Sequence, residues 1–299
     1  MSPLERRNAA LRRFALSITV FTIGGAFLLG FEDSWAQPLV ALATAYPLEL
    51  ALETLEAWAQ RRRPRYLGGP SAFIHHLLPA HISALSIALL LYPNARLMPI
   101  VFATAVAIGS KFVIRAPVGG GWRHFLNPSN LGITVTLLAF PWVGISPPYQ
   151  FTESIFGPWD WVLPLGILGA GTMLNAKLTG KLPLILGWAG AFAGQALVRS
   201  TVFGTPLVAP LLPMTGLVWV LYTNYMITDP GTTPIARRPQ IAFGVATAAT
   251  YGLLVSLHVV FGLFFALTLV SAARGVGLYL LAARAHVRAP SRVLAPAAP

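Results

Sequence analysis

The sequence predicts an all-α polytopic membrane protein. Hydrophobic residues make up 56% of its 299 residues and charged residues only 10%, whereas a soluble globular domain carries about 25% charged residues. The apolar residues fall into runs of about 20, the length that an α-helix needs to cross a bilayer. Glycine (27) and proline (25) are abundant, and membrane helices tolerate both better than soluble helices do. We therefore expect the lipid bilayer as the main partner, and several broken helices.

Ten segments are apolar enough to be membrane spans. The turn before the last span is the least clear, because residues 256–258 contain neither glycine nor proline. The predicted spans are 14–31, 38–58, 71–92, 97–114, 131–146, 161–176, 182–198, 206–227, 240–257 and 259–282. The chain 1–299 is expected to form a single transmembrane domain with short cytoplasmic tails at 1–13 and 283–299.

The basic residues predict the orientation, because Lys and Arg accumulate in the cytoplasmic connections of membrane proteins. With the N-terminus in the cytoplasm, nearly all of them fall on that side, whereas Arg96 and Arg199 fall outside. We expect a multi-pass protein of the bacterial inner membrane with both termini cytoplasmic. A cleaved signal peptide is the alternative for the N-terminus, since residues 34–36 resemble a cleavage site, although the apolar run is longer than usual.

Composition also limits the chemistry of the chain. It has no cysteine, which excludes disulfides, thiolate metal sites and Cys-ligated iron–sulfur clusters for this chain alone. The net charge of +12 does not indicate nucleic-acid binding, because that function needs a basic face on a soluble fold. Here the arginines lie between apolar spans.

Three glutamates lie on one face of the second predicted span. Glu49, Glu53 and Glu56 are spaced i, i+4 and i+7, and carboxylates inside a membrane usually face a bundle interior or a water-filled cavity. Glu53 and Glu56 are close enough to the cytoplasmic end to pair with the arginines at 61–65. Glu49 lies about 18 Å from Arg61 along a helix. It is the better candidate for handling protons or ions, followed by Glu53.

Three histidines surround Pro79 at the start of the third span. The spacing of His75, His76 and His81 does not match H-E-x-x-H or another known metal-binding pattern. We therefore expect polar contacts at a broken helix and predict no metal site.

The first of two polar connections, residues 115–130, carries candidate ligand-binding residues. Arg123 follows a run of glycines, and Asn127, Ser129 and Asn130 immediately precede a predicted helix. Backbone N–H groups at a helix N-terminus attract anions, and asparagine amides can bond the polar edge of a ring. The alternative is a structural one, in which Ser129 or Asn130 simply caps the helix.

The second polar connection, residues 228–234, contains Asp229 and Thr232. A turn rich in proline and glycine is by default only a turn, with an Asx-type bond at Asp229. If the two connections form one site, we expect Asp229 to accept hydrogen bonds from its own turn or to pair with Arg123 or Arg237.

The motifs in these two connections resemble those of the RnfD/NqrB superfamily, whose members are membrane proteins of the Rnf complex and of the sodium-translocating NADH:quinone oxidoreductase. The chain is more similar still to the UnbU-like integral membrane proteins of enediyne biosynthesis clusters, which belong to the same superfamily. The resemblance runs from about residue 75 to 279. It rests on segments 123–133, 147–153, 174–178 and 228–234.

This resemblance implies ten helices in two inverted five-helix repeats, here about 14–146 and 161–282. It also implies flavin, either bound noncovalently among the helices or attached to a threonine in an Asp-x-(Ser/Thr)-Gly-Ala-Thr motif on the outer side. Thr152 occupies a comparable place but lacks the Gly-Ala beside it, so covalent attachment is not expected. The resemblance leaves open the noncovalent binding of FMN, riboflavin or another planar cofactor. The candidate cofactor-binding residues are Arg123, Asn127, Ser129, Asn130, Thr152, Asp229 and Thr232.

Two functions remain open at this point. The resemblance implies a membrane protein of electron transport that serves natural-product biosynthesis of the enediyne kind, working with other membrane or redox subunits. The alternative is a transporter or exporter of a small molecule or ion, which would use the cavity between the repeats where broken helices meet. Neither hypothesis identifies a catalytic residue.

Overall fold

A computed structural model gives an all-α protein in which 75% of the residues are helical. It describes residues 3–119, 121–147, 152 and 155–288. The α-helices are α1 Pro3–Gly24, α2 Ala36–Ala59, α3 Pro70–Leu90, α4 Met98–Val113, α5 Pro128–Ala139, α6 Trp159–Leu174, α7 Leu182–Phe203, α8 Val208–Leu211, α9 Leu217–Leu221, α10 Arg237–Ser256 and α11 Gly262–Arg288. The strands are β1 Leu91–Tyr92, β2 Arg115–Val118, β3 Gly121–His124 and β4 Gly144–Ile145.

Five helices in the described part of the chain are long and apolar enough to cross a membrane. They expose large apolar side chains, among them Phe27, Leu186 and Leu281, and contiguous apolar surface of this kind marks contact with a membrane or a partner. The structure therefore supports a membrane protein in contact with lipid. The five helical segments are Glu5–Leu29, Pro70–Leu90, Trp159–Thr179, Leu182–Phe203 and Gly262–Ala285.

Two predicted spans differ clearly from the helices observed. The fifth, 131–146, was predicted too long, because α5 has 12 residues and reaches only about 18 Å. The chain then turns into β4, which pairs with β1. The eighth, 206–227, is broken into α8, a 3₁₀ turn at Leu212–Thr215, α9 and a π-helix at Tyr222–Met226. Its prolines remove the backbone donors that a continuous helix needs.

Two further local expectations have opposite outcomes. α3 runs without interruption through Pro79, so the predicted break at the histidines is wrong. The predicted turn after α10 is confirmed, even though it contains no glycine or proline. His258 and Phe261 there adopt positive φ values of 60° and 61°, a conformation that non-glycine residues rarely adopt.

Four connections, three of which carry lysine or arginine, lie together at one end of the bundle. They are residues 60–69, 114–127, 175–181 and 228–236, which we call the basic end. Side chains join them through the contacts Arg115–Glu56, Asn127–Met226 and Lys181–Pro234. The short ribbon of β1 and β4 lies apart from these contacts and joins residues 91–92 to 144–145.

The centre of the bundle is built by α3, α4, α9 and parts of α7 and α10. Helices α7 and α10 approach most closely at glycines. A Cβ on Gly187 would lie 2.8 Å from the Ile241 carbonyl oxygen, and one on Gly244 would lie 2.7 Å from the Leu184 carbonyl oxygen. Small residues that allow backbone contact are typical of helix crossings in membranes.

Candidate functional site

The glutamates of α2 occupy the face that packs against α3 and α4. Its buried residues recur every four positions: Gln37, Ala41, Ala45, Glu49, Glu53 and Ala57. Glu49 is 5% exposed and Glu53 is fully buried. The shared face predicted from the sequence is therefore present, and it points into the bundle.

Glu49 forms a buried ion pair with Lys111 of α4. Lys111 Nζ donates a short hydrogen bond to Glu49 Oε2, and both side chains are less than 10% exposed. On the other side, His76 Nε2 of α3 lies 4.0 Å from Glu49 Oε1. Lys111 lies in the last turn of α4, where it balances a carboxylate inside the bundle.

Glu53 and Glu56 are held at the basic end by arginines, as predicted. Arg62 Nη1 donates to Glu53 Oε1 at 2.5 Å, and the backbone N–H of Arg65 donates to the same oxygen at 2.8 Å. Arg62 also reaches Glu56 at 3.2 Å. Arg115, which the sequence had not assigned to this row, bonds the other oxygen of Glu56. All three glutamates thus have a cationic partner.

Two more polar side chains extend this row away from the basic end. Gln37 lies 12 residues before Glu49 on α2, about 18 Å away along the helix axis, and Thr104 lies two turns before Lys111 on α4. Both are buried. Neither the Gln37 amide nor the Thr104 hydroxyl has a hydrogen-bond partner in the described part of the chain. The sequence interpretation missed both.

The histidines next to this row make contacts between helices. His75 Nε2 accepts from Arg12 Nε at 3.0 Å. His81 lies between the hydroxyls of Thr19 at 2.7 Å and Tyr46 at 2.6 Å. These bonds tie α1, α2 and α3 together, as expected of polar contacts in a bundle.

The two motif connections meet at the start of α5. Asn127 adopts an extended backbone and caps the helix, since its Oδ1 accepts from the Asn130 N–H at 2.9 Å. The Ser129 hydroxyl donates to the same oxygen. Asn127 Nδ2 donates to the Met226 carbonyl at 3.1 Å, which joins the first connection to the second. The cap is therefore Asn127, and the alternative that Ser129 or Asn130 caps the helix is wrong.

Asn130 reaches across the bundle to α11. Its Nδ2 donates to the Phe264 carbonyl at 3.0 Å and to the Thr268 hydroxyl at 2.8 Å. Its Oδ1 is buried and has no partner among the described residues. Of the polar side-chain atoms in the motif Asn127–Asn130, this oxygen is the one left available for a ligand or a water molecule.

The carboxylate of Asp229 accepts its hydrogen bonds from its own turn. This is one of the two arrangements predicted from the sequence; the other was a pair with Arg123 or Arg237. Its Oδ1 accepts from the Gly231 N–H at 3.0 Å, and its Oδ2 accepts from the Thr232 hydroxyl at 2.8 Å. These are the bonds of an Asx turn. Thr232 is therefore a partner of Asp229.

Among the described residues, several cations lie near this turn and none forms an ion pair with the Asp229 carboxylate. Lys181 Nζ donates to the Pro234 carbonyl at 2.7 Å and is only 2% exposed, and burial lowers the pKa of Lys181 to about 8. Arg274 Nη1 donates to the Thr232 carbonyl at 2.9 Å. Burial also lowers the pKa of His124, and the nearby Asp229 charge partly offsets the shift.

The other two candidates lie away from the junction of the motif connections. Arg123 is exposed on β3. Thr152 lies in a turn, where its carbonyl accepts from the Ile155 N–H at 3.2 Å. Within the motif at 147–153, residues 148–151 and 153 lie outside the described residues.

The motif residues fit a structural junction better than a flavin cradle. A flavin ring needs several hydrogen-bond partners held together. Here the polar atoms of Asn127, Ser129, Asp229 and Thr232 are used by contacts within the chain, which leaves the Asn130 oxygen. We therefore derive no flavin chemistry from this arrangement.

A buried aromatic cluster was not anticipated from the sequence. Trp188, Phe192, Trp219, Tyr222 and Tyr251 pack with ring centroids 5.0 to 6.5 Å apart. Trp188 Nε1 donates to the Thr223 hydroxyl at 2.9 Å. The Trp219 N–H and the Tyr222 hydroxyl are buried and have no partner within the described ranges.

Comparison with known proteins assigns no family to the chain. No protein-family model matches it, and no curated protein matches it either. The resemblance to the Rnf, NADH:quinone oxidoreductase and UnbU-like proteins therefore rests on the sequence segments quoted above.

Proposed function

We propose that the chain is a ten-span protein of the bacterial inner membrane that carries protons along the interface between α2 and α4. The observation that carries this proposal is the set of buried polar side chains on α2 and α4, which are Glu53, Glu49, Gln37 and Thr104, with Lys111 paired to Glu49. From Gln37 to Glu53 the row extends about 24 Å along α2, most of the roughly 30 Å hydrocarbon core. Ionisable groups at such depth typically mark proton or ion pathways.

The basic end supports the proposed orientation. The clustering of cationic connections at one end of the bundle favours that end as the cytoplasmic one. The ends of α1 and α6 support two related halves. Each continues into a π-helix and stops at a glycine with positive φ, Gly30 and Gly180, whose N–H bonds the first π-helix carbonyl. We propose that these halves are the inverted repeats.

The chemistry of the row favours protons over metal cations. Lys111 Nζ already occupies the cation position beside Glu49, so a metal cation would have to displace a buried ammonium. A proton only has to transfer to the carboxylate, which neutralises Glu49 and releases Lys111 from the ion pair. The free oxygen and nitrogen atoms of Gln37 and the Thr104 hydroxyl offer the next hydrogen-bonding positions, and buried polar atoms of this kind typically hold water.

Proton uptake into vesicles tests the proposal. Purified protein is reconstituted with a pH-sensitive dye inside, and uptake is followed after a K⁺/valinomycin potential is applied. The double variant Glu49→Gln/Lys111→Met removes both charges together, so that neither is left buried alone. We expect it to keep the thermal unfolding midpoint of the wild type and to lose uptake at least tenfold. The matched control Glu56→Gln lies at the interface and should keep most of the uptake.

Either of two results would overturn the proposal: wild-type protein that gives no uptake above empty vesicles, or a folded double variant that retains the wild-type rate. The same vesicles supplied with external Na⁺ and a sodium-sensitive dye inside distinguish a sodium carrier. Sodium uptake without proton uptake would contradict the proton assignment.

The aromatic cluster favours a second candidate, the electron-transport role that the resemblance implies. Closely packed Trp and Tyr rings beside unpartnered donors are compatible with a redox group or a planar ligand bound nearby. The visible absorbance spectrum of protein purified without added cofactor tests this role. Absorbance near 450 nm that co-elutes with the protein and disappears in Tyr222→Phe/Trp219→Phe would support it. A colourless protein that also takes up no added flavin would refute it.

A further inference from the structure

A groove at the basic end is formed by the start of α7, the start of α10 and the end of the helix that includes α6. Its volume is about 740 Å³, within the range of small-molecule sites. Exposed apolar side chains of Leu182, Leu186 and Ile241 line most of it. In a bundle surrounded by lipid, such a wall faces acyl chains.

The polar end of the groove carries one cation and one free acceptor. Arg237 is exposed there, at the first position of α10. Gln240 also lines the groove and is only 2% exposed. Its Nε2 donates to the Ile235 carbonyl at 2.8 Å, which fixes the amide orientation and leaves Oε1 without a partner in the described part of the chain.

The surroundings add positive potential and rigidity. The N-termini of both α7 and α10 lie at this groove, and helix N-termini favour negative charge. The close backbone contact at Gly187 and Gly244 fixes the two helices relative to each other, so the groove is formed without a ligand.

We infer that this groove holds an anionic phospholipid whose headgroup carries a hydroxyl, of the phosphatidylglycerol type. The phosphate fits Arg237 and the helix N-termini, a headgroup hydroxyl can donate to Gln240 Oε1, and an acyl chain follows Leu186 and Ile241. Basic pockets between helices on the cytoplasmic side are typical headgroup sites. Because Oε1 accepts and cannot donate, the phosphate alone would leave Gln240 unsatisfied.

Native mass spectrometry of the detergent-purified protein tests this inference with three lipids of equal chain length. These are phosphatidylglycerol, phosphatidylethanol, which has the same charge but no headgroup hydroxyl, and zwitterionic phosphatidylethanolamine. Wild-type protein should bind the first most tightly. Arg237→Gln should weaken its binding about fivefold, the effect of one basic residue at an anionic surface. Arg238→Gln, an exposed neighbour that does not line the groove, should change binding by less than twofold.

Gln240→Met tests the hydroxyl contact separately. It should abolish the preference for phosphatidylglycerol over phosphatidylethanol while retaining the preference for anionic over zwitterionic lipid. Unfolding midpoints equal to that of the wild type establish that each variant is folded. The inference is overturned if the wild type binds phosphatidylglycerol and phosphatidylethanol equally, or if Arg237→Gln and Arg238→Gln weaken binding to the same extent.

Discussion

Glu49 and Asp229 are two carboxylates whose partners come from very different distances along the chain. Glu49 depends on Lys111, 62 residues away on another helix. Asp229 takes its hydrogen bonds from Gly231 and Thr232 in its own turn. The first arrangement is a charge held by the tertiary fold, and the second is a locally satisfied turn. A buried charge without its partner is far more costly than a turn that loses one bond, so the two sites should respond differently to the same neutralisation.

Neutralising Glu49 alone should have the largest effect on stability. Glu49→Gln leaves the Lys111 ammonium buried without a counter-charge, which costs about 3 to 5 kcal/mol. We expect a large fall in the midpoint of thermal unfolding in detergent, and recovery of most of it in Glu49→Gln/Lys111→Met. A single variant as stable as the wild type would show that the ion pair does not hold the helices.

Lys181 extends the comparison from buried carboxylates to a buried cation. Unlike Lys111, it is buried against carbonyl groups, and its pKa is lowered to about 8. Between pH 8 and the ordinary lysine value near 10.4, the unfolded chain binds a proton that the folded chain does not, so the stability of the folded state rises with pH in that window. Below pH 8 the burial costs roughly 3 kcal/mol.

Lys181→Met should therefore be more stable than the wild type at pH 7, with an advantage that shrinks as the pH rises towards 10. Unfolding midpoints measured across this range test the effect. Lys177→Met, at an exposed neighbour, should follow the wild-type profile. A Lys181→Met profile parallel to that of the wild type would contradict the account in which burial lowers the pKa of Lys181.

Removing the cap of α5 should have an intermediate effect. Asn127→Ala loses the bond to the Asn130 N–H and the bond to the Met226 carbonyl. A lost cap costs about 1 kcal/mol, and the second bond adds a similar amount. We expect a moderate decrease in the unfolding midpoint. A change no larger than that of an exposed substitution such as Arg123→Ala would mean that the two connections do not support each other.

Neutralising Asp229 should have the smallest effect. In Asp229→Asn the side-chain oxygen still accepts from the Gly231 N–H, so the loss should be below about 1 kcal/mol. The midpoint should lie close to that of the wild type and far above that of Glu49→Gln. Equal losses in the two variants would remove the distinction between a locally satisfied carboxylate and one held by the tertiary fold.

Features with a local signal were predictable from the sequence. The face shared by Glu49, Glu53 and Glu56 follows from helical spacing, and the Asx turn at Asp229 follows from the residues next to it. The position of the cap was missed by two or three residues. Asn127 lies before Pro128, which favours an extended backbone at the residue before it, and this conformation is the one that a cap needs.

Features that depend on distant contacts were not predictable in the same way. Counting charges near span ends does not reveal that α4 places Lys111 opposite Glu49. The length of α5 was overestimated because residues 140–145 are largely apolar, although the chain turns there and residues 144–145 pair in a β-ribbon with residues 91–92. The partner of Glu49 and the burial of Gln37 depend on helix packing, and one sequence does not contain that information in a local pattern.

Proton uptake by Gln37→Leu/Thr104→Val tests the central claim most directly. The double variant changes no charge and replaces two unpartnered buried polar groups by apolar side chains of similar size, which should leave stability unchanged or raised. If protons move along the row between α2 and α4, uptake in the vesicle assay should fall at least tenfold while the unfolding midpoint is maintained. Uptake at the wild-type rate in this folded variant would contradict the account.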